Sequence, residues 1–419
     1  MSARKRTATT AGLSLALIAL FLGLLTILPG PAQAESPPPT LAELIADPSL
    51  MPAAPAACEP DGTQASGAIY RICLPSGWDG NTLVIYAHGY VDPAKPVDIP
   101  EDQLGVPGLS IPDTVNSLGY AFAVSGYSVN GLAVQEGKAD LLDLVQIFTA
   151  QHGAPQRVLM LGISEGGLIT ALSMEQHPEV YDGGLAICGP LGGLPVQTAY
   201  FGDFRAVFDY FFPGVMPGSP ISIPTTLMAD WDNVYTSTVR PAILDPTNAD
   251  KVRRLLAVTG AATDPANPDT IEQTIQTLLW YNVSATNDAF AKLGGNPYSN
   301  TAKAYTGSDD DPALNAGVAR YTADAGAADL LAQNYVPTGV LTVPLITAHT
   351  TGDHVVPYFH QTLYADKAQA SGSGWLHTAI TSPTYGHCTL TILDLLSAFA
   401  ELESRSLHPY RVQLPWVAK

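Results

Sequence analysis

Short, continuously apolar runs recur along this chain, and between them lie stretches whose apolar residues repeat at helical spacing. Thr82-Leu83-Val84-Ile85-Tyr86-Ala87 is one such run, and Tyr120 to Ser125, Arg157 to Leu161 and Gly184 to Cys188 are others. Apolar on both alternating faces, they read as strands buried from both sides. Gly67 to Leu74 alternates as a further strand. Asp113 to Leu118 reads as a short helix, and Ala139 to Ala150 as an amphipathic one, with Leu141, Leu142, Leu144, Val145, Ile147 and Phe148 at helical intervals. Strands alternating with helices predict a mostly parallel sheet joined by right-handed crossovers.

The rhythm stops after Cys188. From Leu191 to about Thr338 no comparable buried strand occurs. Instead there is an aromatic opening (Tyr200, Phe201, Phe204, Phe208, Tyr210, Phe211, Phe212), then Pro-rich turns and helix-like stretches such as Ile271 to Leu279 and Ala325 to Gln333. A segment this long is an inserted, mainly helical cap rather than a loop. The aromatic residues could equally line an acyl pocket or fill the cap's own core. The strand–helix pattern resumes with Val343 to Ala348, a helix from about Tyr358 to Ala370, a strand from Leu376 to Thr381 and a last helix from about Thr389 to Glu403. The expected organisation is a signal peptide at 1–34, a poorly ordered Pro- and Ala-rich lead-in at 35–57, core at 58–190, cap at 191–338 and core again at 339–419.

The signal rests on Arg4, Lys5 and Arg6, an apolar stretch from Ala11 to Leu28, a Pro29-Gly30-Pro31 break and the small-residue site Ala32-Gln33-Ala34. It predicts secretion, with no stable membrane association after cleavage. The whole sequence is acidic, with a net charge of −19, which argues against nucleic acid as a partner. Four cysteines, Cys58, Cys73, Cys188 and Cys388, follow the signal. An even count in a secreted chain suggests disulfides, with three pairings open. Cys58 with Cys73 closes a short hairpin-like loop, which leaves Cys188 with Cys388. No C-x-x-C spacing occurs, so neither a zinc nor a redox site is expected.

Chemistry enters at Gly162-Ile163-Ser164-Glu165-Gly166-Gly167. The motif follows a buried strand and precedes the helical stretch Leu168 to Met174, the context in which a G-x-S-x-G serine sits on a strained strand-to-helix bend. A serine nucleophile needs a base, an orienting acid and N–H donors for the oxyanion. The loop after the strand ending at Ala348 offers Asp353 within Gly352-Asp353-His354-Val355-Val356-Pro357, and the loop after the next strand offers His387 within Gly386-His387-Cys388. The rival histidines read otherwise: His349 as loop packing, His354 as pointing away from the site. The oxyanion donors are expected to be the backbone N–H groups of Tyr90 and Glu165. His88 reads as structural, and the Glu165 carboxylate as turned away toward a buried basic or hydroxyl partner.

With Tyr86-Ala87-His88-Gly89-Tyr90 added to these motifs, the chain resembles the α/β-hydrolase superfamily, in particular secreted bacterial serine esterases and peptidases with a large cap. The resemblance covers roughly residues 65 to 405, apart from the cap. It implies hydrolysis of a small ester or peptide-like substrate through an acyl-enzyme, with Ser164, His387 and Asp353 as the triad and without metal or organic cofactor. A carboxylic ester is the first expectation. Peptidases of the prolyl-oligopeptidase or proline-aminopeptidase kind share fold and triad; an aminopeptidase would need cap carboxylates, for which Asp203, Asp209, Asp230 and Asp232 are available. A non-catalytic binding protein on the same fold is the third reading.

Overall fold

In the computed structural model, residues 56–106 and 108–407 are described. The expected signal peptide, all but the last two residues of the lead-in and the tail beyond residue 407 lie outside them. Eight strands form one sheet: β1 (Gly62–Thr63), β2 (Ile69–Cys73), β3 (Thr82–Ala87), β4 (Ala121–Ser125), β5 (Arg157–Ile163), β6 (Gly183–Ile187), β7 (Leu345–Gly352) and β8 (His377–Tyr385). Their spatial order is β1-β2-β4-β3-β5-β6-β7-β8. β1 and β2 run antiparallel, β2 pairs antiparallel with β4, and every later neighbour is parallel. The mostly parallel sheet is what the alternating pattern predicts, and its order is that of the α/β-hydrolase fold, which the motif resemblance implied.

The central strands are apolar on both sides because both sides are covered. Leu83, Ile85 and Ala87 face a core shared with Leu141, Leu144 and Phe148 of α2 (Val134–His152) and with α3 (Glu165–Gln176). Their neighbours Val84 and Tyr86 face the opposite core, with Ile111 and Val115 of α1 (Ile111–Ser117) and Leu396, Phe399 and Leu402 of the last helix (Ile392–Leu407). That last helix starts later than the apolar pattern suggests. Thr391 and Asp394 form a reciprocal cap, each side chain accepting from the other's backbone N–H at 3.1 and 3.0 Å, and this fixes the first turn.

Between β6 and β7 the described residues hold no strand, only an isolated bridge between Ser219 and Ser222. The insert is helical. Its longer members are α4 (Leu194–Phe211), α5 (Ala249–Thr259), α6 (Asp269–Leu293) and α7 (Ala325–Asn334). Most of the aromatic opening lies on α4 and enters a separate core: Phe204, Phe208, Phe211 and Phe212 pack with Trp231, Leu255, Ile275 and Leu278. The insert is tied to the strand-end loops by Tyr200 Oη donating to the His354 carbonyl at 2.8 Å, by Thr274 Oγ1 and Tyr385 Oη at 2.8 Å, and by the Leu132 N–H donating to Asp288 at 2.8 Å. After β7 come α8 (Phe359–Ala370), with Tyr364 and Ala368 in the first core, and the last helix.

Cys58 and Cys73 are joined, tying the chain's entry to β2. Cys188 and Cys388 are not: both are free thiols, which corrects the expectation of a second bridge. Their sulfurs and an Asp353 oxygen lie within 4.8 Å of one another, but Cys388 Sγ turns to the His387 ring, 3.6 Å from Nε2.

The Cys58–Cys73 bond closes a 15-residue separation, for which chain entropy gives about 3 kcal/mol. Replacing both by alanine should lower unfolding stability by about that much, read from denaturant midpoints without reductant; an unchanged midpoint would show that the bond contributes nothing.

Candidate active site

The parallel register brings the ends of four strands to one edge. Ala87 of β3 is level with Gly162 of β5, Ile163 with Ile187 of β6, and Ile187 with Ala348 of β7. The residues just beyond those ends, His88, Ser164, Cys188 and the Asp353 loop, therefore share one rim, and β8 delivers His387 beside them.

Ser164 sits at φ 59°, in the left-handed region that a serine rarely adopts. Its N–H donates to the Ile187 carbonyl at 2.8 Å, and α3 begins at the next residue. The glycines around it are required by space. A Cβ on Gly162 would lie 2.1 Å from the Gly166 carbonyl oxygen, and one on Gly166 would lie 2.0 Å from the Ala87 carbonyl oxygen. Neither backbone atom can yield without moving the bend.

Ser164 Oγ lies 2.8 Å from His387 Nε2, and His387 Nδ1 lies 2.7 Å from Asp353 Oδ2. The other Asp353 oxygen accepts the N–H groups of Val355 and Val356, each at 2.9 Å. Burial alone pushes this carboxyl up, but the His387 charge and hydrogen bonds from His349 and His387 outweigh it and hold Asp353 well below the usual range. An ionised Asp353 only accepts, so His387 carries its proton on Nδ1. Nε2 is then the acceptor for the Ser164 hydroxyl. Burial works against a charged His387, yet the Asp353 carboxylate and the Cys388 sulfur raise it well above the ordinary imidazole range, so Nε2 accepts from Ser164 only once the pH exceeds that raised midpoint.

The rival histidines separate cleanly. His349 is buried; its Nε2–H donates to the Val356 carbonyl at 2.8 Å and lies 3.5 Å from Asp353. It braces the acid loop more directly than simple packing would. His354 stacks on Tyr385 at 5.1 Å, and burial lowers it to about 4. His88 stacks on Tyr127 at 3.8 Å, its Nδ1 is 2.7 Å from the Gly89 carbonyl, and burial lowers it to about 4, consistent with a structural part.

Tyr90 and Glu165, whose N–H groups were expected as oxyanion donors, both line the cavity that opens on Ser164. Glu165 opens α3, so its N–H has no acceptor within the helix. The Tyr90 loop is fixed by a residue the sequence gives no reason to single out. The Gln103 amide accepts the Gly89 N–H at 2.8 Å and donates to the Tyr90 carbonyl at 3.1 Å. The Glu165 side chain does turn inward, but its partner is neither basic nor a hydroxyl. Oε1 accepts the Ala133 N–H at 2.9 Å, and burial pushes the carboxyl up to about 8.

The cavity encloses about 120 Å³. One wall is α4 (Leu194, Gln197, Thr198, Phe201) and another is α6 (Tyr281, Ala285, Ala289, Leu293), each showing residues spaced by three or four. Of the aromatic opening, Phe201 lines it, stacked on Tyr281 at 5.2 Å. Cys188, Asp353 and Cys388 are the one group of potential metal ligands gathered among the described residues. Both Asp353 oxygens are already engaged, so binding an ion there would compete with the hold on His387.

No family model matches the sequence, and no curated protein matches it. Solved structures that are similar include the acylaminoacyl peptidase of Pyrococcus horikoshii (TM-score 0.42, 10% identity, over 84% of this chain and 41% of that one). Another is a ligand-bound form of the rice cell wall degrading esterase LipA from Xanthomonas oryzae (TM-score 0.41, 14% identity, over 88% and 93%). The chain thus spans less than half the length of the peptidase.

Two measurements test this electrostatic picture. Cys388→Ala removes a group that raises His387, so the imidazole titration followed by NMR should move to lower pH; a midpoint that stays or rises contradicts the contact. For Glu165, the unfolded carboxyl loses its proton near the ordinary value of 4.5 while the folded one keeps it to about 8. The folded state then binds more protons across that window, and stability falls as pH rises through it. Glu165→Gln should flatten that decline in denaturant midpoints between pH 5 and 8; an unaltered slope would place the dependence elsewhere.

Proposed function

We propose that this protein is a secreted serine hydrolase that cleaves carboxylic esters through an acyl-enzyme. The observation that carries the reading is the unbroken chain from Ser164 Oγ to His387 at 2.8 Å and from His387 to Asp353 at 2.7 Å, assembled from three separate strand ends. In this reading Ser164 Oγ attacks the ester carbonyl and passes its proton to His387 Nε2. Asp353 stabilises the imidazolium that forms, and the N–H groups of Tyr90 and Glu165 receive the oxyanion. The imidazolium returns the proton to the leaving alcohol. Water, deprotonated by the same imidazole, then attacks the acyl carbon; the bond to Ser164 Oγ breaks, the imidazolium returns its proton to Oγ, and the acid leaves. The acyl group occupies the apolar cavity beside Ser164, between α4 and α6.

The carboxylates that an aminopeptidase would use are engaged elsewhere or exposed. Asp203 accepts from Tyr298 and Tyr305, Asp209 pairs with Arg205, and Asp230 and Asp232 lie on the surface. None of them lines the cavity, which favours an ester over an aminopeptidase substrate. We place the protein outside the cell on its N-terminal segment and on the Cys58–Cys73 bond, which suits an oxidising compartment. Its partner is a small molecule, not nucleic acid.

Ser164→Ala should reduce turnover of p-nitrophenyl acetate and butyrate by roughly 10⁴- to 10⁶-fold, and His387→Ala by a similar factor, since such groups act as a unit. Melting temperatures should change little. Retained turnover in Ser164→Ala would remove the nucleophile, and proline or alanine anilides cleaved in preference to esters would favour the peptidase reading.

A further inference from the structure

Two thiols and a carboxyl from three different strand ends meet beside the triad: Cys188 after β6, Asp353 after β7 and Cys388 after β8. The two sulfurs and an Asp353 oxygen lie within 4.8 Å of one another. No spacing in the sequence announces this cluster, because its members come from distant loops. Their placing is built into the backbone. The Cys188 N–H donates to the Ala348 carbonyl at 2.8 Å, the Gly386 N–H to the Gly352 carbonyl at 3.1 Å, and Thr350 Oγ1 to the Gly386 carbonyl at 2.7 Å. These bonds lock the acid loop to the segments that carry both cysteines. Cys188 and Asp353 are buried, whereas Cys388 is partly exposed and gives an ion access.

The donor set selects the ion. In a tetrahedral zinc site the metal–sulfur distance is about 2.3 Å and the metal–oxygen distance about 2.1 Å, which puts ligand atoms roughly 3.6–3.8 Å apart. From within 4.8 Å, the three atoms reach that spacing by shifts of about 1 Å or less. Two sulfurs suit zinc, whereas calcium and magnesium take shells of oxygen. We propose that Cys188, Cys388 and Asp353 form a zinc-binding site that shuts the hydrolase off when occupied. The cysteines bind as thiolates, any thiol proton leaving to solvent, and water completes the tetrahedron.

Occupancy disables the triad in two ways. Asp353 holds His387 Nδ1 at 2.7 Å, and a carboxylate engaged by zinc no longer steadies a charged imidazole. Cys388 follows His387 in the chain, with Sγ 3.6 Å from Nε2, so drawing its sulfur onto the ion shifts the ring relative to Ser164. The inhibition rests on the serine-hydrolase reading above; the binding does not. The site also needs both cysteines as thiols, as they are here, since a bridged pair has no thiolate to offer.

The test uses the whole protein, stripped of metal with a chelator, its free thiols mapped by alkylation and mass spectrometry. Zinc chloride should inhibit turnover of p-nitrophenyl butyrate, and added chelator should restore it; calcium and magnesium chloride should not inhibit. Cys188→Ser should raise the half-inhibitory zinc concentration by about tenfold or more, the loss that changes at metal sites produce. Cobalt(II) chloride gives a readout independent of turnover: the unaltered protein should show a thiolate-to-cobalt charge-transfer band, weakened in Cys188→Ser and in Cys388→Ser. Because a buried substitution can impair folding, protection is also measured on the unaltered protein, where zinc should shield both cysteines from iodoacetamide. Equal zinc inhibition of Cys188→Ser, absence of the cobalt band, unshielded thiols or a Cys188–Cys388 bridge in the purified protein would overturn the proposal. A cobalt band with shielded thiols in a protein that cleaves no ester would uphold the metal site and remove the esterase reading instead.

Discussion

The bend at Ser164 is the constraint on which the site depends. A residue with a side chain is held at φ 59° while a strand ends and a helix begins around it. Such strain costs on the order of 1–3 kcal/mol and persists only where the surroundings over-determine it. Here they do: the Ser164 N–H is held by β6, and Gly162 and Gly166 let backbone pass where a Cβ would sit about 2 Å from a carbonyl oxygen. Relaxing the bend would lose the contact with β6. Keeping it aims Oγ out of the sheet edge, where the register of β7 and β8 has already set Asp353 and His387.

That register explains why so much of the site was legible in the chain. A buried parallel strand has a continuous apolar signature, and its end is marked by the first polar or glycine residue. Locating the strands therefore located the loops, and the order of loops assigned Ser164, Asp353 and His387 without knowledge of distances. What could not be read was anything fixed by contact across the fold. Gln103 lies 13 residues beyond Tyr90, whose loop it clamps, in a stretch with no periodicity. The Glu165 carboxylate finds a backbone N–H at Ala133, which no side-chain pattern announces. The aromatic opening of the insert was ambiguous for a related reason: helical spacing turns Phe204, Phe208 and Phe211 into the insert's own core and leaves Phe201 facing the cavity.

The cysteines show the limit of counting. An even number behind a basic-apolar leader made two bridges a natural expectation; Cys188 and Cys388 do come together, but as free thiols. Covalency does not follow from proximity. Both residues have positive φ (49° and 56°), so the backbone is bent sharply at each. Cys388 Sγ is drawn toward the His387 ring, while Cys188 is buried and its thiol raised by that burial. A polar thiol pair beside the histidine acts on its charge in a way a bridge could not, because a disulfide has no proton to lose.

Two carboxyls near the same serine are driven in opposite directions, and what each one faces, above all the His387 charge beside Asp353, decides which way. Both are buried, and burial alone raises each. Asp353 is met by two backbone N–H groups and two imidazoles, enough to overcome desolvation and keep it ionised. Glu165 is met by one backbone N–H, which is too little, and it stays protonated near neutrality. A charged carboxylate at Glu165 would oppose negative charge developing next to its own N–H. Leaving it under-bonded therefore serves the chemistry proposed for Ser164: the negative charge is concentrated behind His387, where it steadies an imidazolium, and is withheld from the side where an oxyanion would form.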